Sequence, residues 1–131
     1  MAAEGGRCVT HSPFEYAVIR AVPRVQRGEF INVGVLLYCQ QKDFLGARVH
    51  LDTGRLHCLD PNSDVADVDT ALRSWERTCT GEGPAVVMKP GERFRWLTAP
   101  RSTIIQAGPV HTGITVDPAK DLDRLLDLLV L

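Results

Sequence analysis

Apolar positions along this chain follow two periods, one of two residues and one near 3.6. FEYAVIRAV puts Phe14, Tyr16, Val18 and Val22 on one side of an extended chain and Ala17, Ile19 and Ala21 on the other. Apolar side chains on both sides predict a strand buried on both faces. Pro23 ends it, PRVQRGE makes a polar loop, and INVGVLLYC resumes with residues that favour strands. Two such runs with a short link predict an antiparallel hairpin. LGARVHLD, residues 45–52, alternates cleanly, with Leu45, Ala47, Val49 and Leu51 inward and Arg48, His50 and Asp52 outward. A third strand with one wet face follows.

The period then lengthens. Val65, Val68, Leu72, Trp75 and Cys79 fall in alternating steps of three and four, one stripe of a helix. Ser63 is placed to cap it, Asp64, Asp67 and Asp69 suit its positive start, and Gly81 ends it. A second helix opens at Asp117 with Pro118 in its first turn and buries Leu122, Leu125, Leu126 and Leu129. Between the helices, FRWLT alternates Arg93 and Arg95 against Phe94 and Trp96, the pattern of a short strand. TIIQ and VHTGIT flank an AGP turn and predict a second hairpin. The expected fold is α+β, in the order β-β-β-α-β-β-β-α. Five or six strands would form a mixed, mostly antiparallel sheet, with two helices packed on it. Residues 1–12 read as a disordered lead-in, and 13–131 as a single domain.

Composition narrows the chemistry. The net charge of −1 leaves no overall field to gather nucleic acid or an anionic membrane. No apolar run approaches the ~20 residues of a membrane helix. MAAEGGRCVTHSP lacks the apolar stretch of a secretory signal, so a cytoplasmic protein with reduced thiols is expected. Cys8, Cys39, Cys58 and Cys79 form no CxxC pair, and His11, His50, His57 and His111 have no metal-ligand spacing. No metal or cofactor is therefore expected. Neither a nucleophile elbow nor a glycine-rich phosphate loop is present.

Three polar features remain as candidates for binding. Arg24 and Arg27 lead into Asn32 and Gly34, and an amide inside an apolar strand must find hydrogen-bond partners. RFRWLTAPRST brings Arg93, Arg95 and Arg101 beside Ser102 and Thr103, with Lys89 the fourth basic residue against Glu92 alone. These arginines either pair with the acidic run from Asp60 to Glu82 or form a fork for an external phosphate or carboxylate. Gln106, His111 and Thr112 would line the same end of the sheet.

Several long segments also resemble a known family. YAVIRAVPRVQRGEFINVGVLLYC, FLGARVHLD, LDP, GERFRWLTAPRSTIIQ and PVHTGIT, spread over Phe14 to Leu131, are similar to the bacterial domain of unknown function 3037. Gln40-Gln41 stands where that family usually has proline, and Ala107-Gly108 where it has serine. The resemblance implies no activity and no site residue. It does imply a partner, because members are encoded beside HipA-like kinase-fold proteins. The expected function is thus a non-enzymatic accessory domain that binds a protein through its arginine-rich patch. The alternative is a phosphate-recognising enzyme or nucleotide binder using the same arginines, with His111 as acid–base. A segment of net charge +3 supports few phosphate contacts, so nucleic acid ranks third.

Overall fold

The structure, a computed structural model, describes residues 10–131. Cys8 and most of the expected lead-in lie outside the described residues, while Ser12 already belongs to the first strand. The strands are β1 (Ser12–Ala21), β2 (Ile31–Cys39), β3 (Phe44–Val49), β4 (Ile105–Ala107) and β5 (His111–Thr115). The helices are α1 (Thr53–Leu59), α2 (Val65–Cys79), α3 (Pro90–Thr98) and α4 (Pro118–Leu129). The order is β-β-β-α-α-α-β-β-α, which corrects the expected β-β-β-α-β-β-β-α: the described residues form four α-helices, not two.

Three local causes account for the difference. In α1, the Asp52 carboxylate accepts the Arg55 N–H at 3.1 Å and caps a short helix in which Leu56 is the buried residue. Asp52 thus starts a helix, where the alternation of 45–52 predicts the outward end of a strand. In α3, Pro90 occupies the first turn, and the Glu92 carboxylate accepts the Lys89 N–H at 2.8 Å. RFRWLT is therefore helical, and the expected strand does not exist. The third correction concerns AGP. β4 and β5 do not pair with each other; both pair antiparallel with β1, in succession along one edge. Gly108, Pro109 and Val110 stand opposite Ala17 and Val18, so the supposed turn is a bulge in one interrupted edge strand. The Gly108 N–H still donates to the Val18 carbonyl at 2.8 Å.

The sheet runs β3-β2-β1, with β4 and β5 sharing the far edge, and its pairs are antiparallel. The helices cover opposite faces. Leu56 of α1, Leu72 and Trp75 of α2, and Phe94 and Leu97 of α3 pack with Ile19, Val33, Leu36 and Ile105. Leu122 and Leu125 of α4 pack with Phe14, Val35 and Leu37. β1 and β2 thus supply apolar residues to both sides, as their sequences require. A second bulge makes this possible in β2: Ile19 faces Gly34 and Arg20 faces Asn32, which leaves Val33 as the extra residue. Parity flips there, so Val33 looks toward α1–α3 while Val35 looks toward α4. The two helices read from periodicity are both present. The α2 cap is Asp64, whose carboxylate accepts the Asp67 N–H at 3.2 Å, one residue after the expected Ser63. No helix among the described residues is long and apolar enough to cross a membrane.

A groove beneath the third helix

A row of register partners crosses the sheet at one end: Leu45, Tyr38, Glu15 and Thr112, from β3 to β5. Helix α3 lies over this row and starts close to it. A Cβ on Gly91 would come within 2.8 Å of the Tyr38 hydroxyl, so glycine lets the helix approach the strand. Between the two is an open groove of about 890 Å³. Glu15, Tyr38 and Thr112 line its floor, Gly91 and Arg95 its helical wall, and Trp96 its rim.

One arginine and one acid of the groove neutralise each other. Arg95 donates two hydrogen bonds to Glu15, at 2.9 and 2.6 Å, a fork that joins α3 to β1 across 80 residues of sequence. The Glu15 carboxylate holds the Arg95 pKa above its ordinary value. Trp96 is 53 % exposed. Its ring carries the Arg101 guanidinium 4.7 Å from the centroid, and Arg101 also bonds to the Trp96 carbonyl. The same guanidinium lies 5.3 Å from the Trp75 ring, so one arginine ties the rim tryptophan to α2.

Of the sequence candidates, Arg95 and Thr112 meet in this groove and Arg101 steadies its rim. Arg93 turns the other way: it donates to the Met88 carbonyl at 2.7 Å and lies against Gly81, and its Nε is buried without a partner. Arg24 sits 3.5 Å from Asp60, and Arg27 holds Glu29 through two bonds of 2.8 and 3.2 Å. Asn32 donates to the Leu129 carbonyl at 3.0 Å and so closes the last turn of α4. Thr103 donates to the Ile105 carbonyl and Gln106 to that of Thr103, while Ser102 is exposed. His111 lies on the far side of β5 against Tyr16, ring centroids 5.2 Å apart. Arg93, Arg95 and Arg101 therefore reach three different acceptors and make no common fork.

Glu15 and Tyr38 are not singled out by the sequence, and Gly91, which reads there as a lone turn glycine, lies in the first turn of α3. Glu15 did carry a signal, since it shares a face with Ala17, Ile19 and Ala21, and a lone acid beside a buried apolar row needs a cation. Among the described cysteines, burial pushes the Cys79 thiol up to about 12, which keeps it protonated and inert at neutral pH.

A family model described as "Protein of unknown function (DUF3037)" matches residues 16–130. The chain belongs to this family. No curated protein matches it, and no solved structure does. The match spans β1 to α4, so every residue from Tyr16 onward that builds the groove lies in the DUF3037 region. The domain carries a few surface arginines in salt bridges, of which Arg95–Glu15 crosses the groove.

The Arg24–Asp60 pair in this DUF3037 domain gives a pH-dependent prediction. The Asn62 backbone N–H, 3.1 Å from the Asp60 carboxylate, holds its pKa below the ordinary 3.8 despite some desolvation, and Arg24 adds to the effect. A depressed folded-state pKa means that the unfolded chain binds the extra proton. The stabilisation is present above the ordinary value and disappears as pH falls through the lower one. Asp60→Asn should melt below the parent at about pH 7 and match it near ~pH 2. A gap that stays constant across that range would show that the Asp60 charge contributes nothing.

Proposed function

We propose that this domain is a non-enzymatic accessory module that docks a protein partner in the groove beneath α3, with Trp96 as the anchor. The exposed indole of Trp96, fixed by Arg101, is the observation that carries this reading. Tryptophan, tyrosine and arginine dominate the binding energy of protein interfaces, and Trp96, Tyr38 and Arg95 all line this groove. A ring held in place before binding loses little freedom when it is covered. The Arg95–Glu15 fork offers a polar floor that a partner's backbone or side chains can meet.

The partner we propose is the HipA-like kinase-fold protein encoded beside family members, with both proteins in the cytoplasm. The phosphorylated-ligand alternative draws less support, because a phosphate would have to displace Glu15 from Arg95, and neither Arg93 nor Arg101 would help. Co-expression with the kinase-fold protein, followed by size exclusion at low salt, tests the partner. The two should elute together, and Trp96→Ala should weaken the complex by about 30-fold, a loss of roughly 2 kcal/mol. Clean separation removes this partner; a complex indifferent to Trp96→Ala removes the groove.

A further inference from the structure

Among the described residues, β5 is an edge strand that lacks the usual protection. Sheets discourage edge-to-edge pairing with lysine, proline, bulges or inward charges. Pro109 and the bulge at 108–110 supply such devices between the two halves of this edge, next to β4 and at the start of β5. The opposite edge, β3, holds a charged pair, Arg48 with Asp123 of α4. Within His111–Thr115 itself, β5 has none of these. From Gly108 to Val116 the chain carries no Asp, Glu, Lys or Arg. One side of β5 pairs with β1, from Ser12↔Thr115 to Tyr16↔His111, and no other described strand pairs with it. Thr112 and Ile114 alternate toward the groove side, where Ile114 is 63 % exposed, and Val116, just past the strand, is exposed too.

We infer that β5 pairs antiparallel with β5 of a second copy of this chain, about a two-fold axis through Gly113. The strand's own chemistry selects that occupant. Two-fold pairing sets a surface against itself, so a charged strand would bring like charges together. An uncharged β5 avoids this. In this register, Gly113 meets Gly113, Thr112 meets Ile114, and His111 meets Thr115. β-branched residues opposite one another stabilise antiparallel pairs. Glycine at the axis has an internal cause too, since a Cβ there would lie 2.6 Å from the Phe14 ring. The result is a sheet continuous across both copies. The row Tyr38–Glu15–Thr112 then gains Ile114 of the second copy, which extends the groove floor. This inference stands apart from the identity of any partner.

Sedimentation of the full chain between ~10 and ~300 µM reads the outcome directly. The mass should climb from 14.4 kDa toward twice that value. Thr112→Lys/Ile114→Lys sets lysine against lysine in the proposed register, and Thr112→Glu/Ile114→Glu sets acid against acid. Each should stay monomeric, with a circular dichroism spectrum like the parent's, and an equimolar mixture should dimerise. If either pair of substitutions unfolds the chain, Ile114→Lys alone serves and should weaken association by at least ~10-fold. A parent that remains monomeric throughout overturns the inference. So does a dimer that survives the substitutions, or a mixture of folded variants that fails to associate.

Discussion

Replacing Phe94 by alanine is expected to destabilise the protein by about 3–5 kcal/mol. The same truncation two residues on, at Trp96, should cost about 1 kcal/mol or less. Phe94 is completely buried, stacked on Tyr38 with centroids 5.5 Å apart and packed among the residues of α2. Its removal leaves a hole that Tyr38, Leu97 and Leu72 can only partly fill. Trp96 looks outward from the opposite side of α3. The contrast tests the helix itself. On a strand, residues 94 and 96 share a face and both truncations would be severe; on a helix, Phe94 shares its face with Leu97 instead. Chemical denaturation of the two variants decides between them. Equal losses would mean that 90–98 is not helical in solution.

That segment also shows where sequence reading fails. Phe94 and Trp96 in alternation with Arg93 and Arg95 satisfy a period of two over four residues, too few to exclude a period of 3.6. The decisive signal lay upstream, in Pro90 followed by Glu92, which together start a helix. α1 was hidden differently. It is seven residues long, includes Gly54, and buries Leu56 alone, so it has no stripe to detect. The bulge at 108–110 imitated a turn because glycine and proline serve both. β1, β2, α2 and α4 were legible for the opposite reason: each has enough apolar positions to fix its period.

The groove was legible only in pieces. Residue chemistry alone points to Arg95 and Thr112, but the acid that meets Arg95 sits 80 residues away on β1. No local pattern pairs them. An arginine-rich stretch looked like a patch because spacing alone does not say which way each side chain points. Helical geometry sends Arg93 toward Met88 and Arg95 toward the sheet, and Arg101, beyond the helix end, folds back onto Trp96. A charge excess read from sequence therefore overstates what reaches solvent as free charge.

Gly34→Val is the second large effect, and its sign separates propensity from packing. Valine favours strands over glycine by up to ~1 kcal/mol, so by propensity alone β2 should gain. Packing predicts the reverse. A Cβ at residue 34 would lie 2.7 Å from the Arg48 carbonyl oxygen, 3.0 Å from the Val49 side chain and 3.2 Å from that of Ile19. The first of these is backbone in the neighbouring strand, which cannot rotate away. Relief requires β3 to move, and β3 is tied to β2 from Gly34↔Val49 to Cys39↔Phe44. The position also adjoins the Val33 bulge that distributes β2 between the two cores. Overpacking of this kind costs about 3 kcal/mol, which exceeds the propensity gain threefold. Gly34→Val should accordingly unfold at markedly lower denaturant than the parent, with an unchanged slope. A midpoint at or above the parent's would mean that β2 and β3 cross less closely than this packing requires.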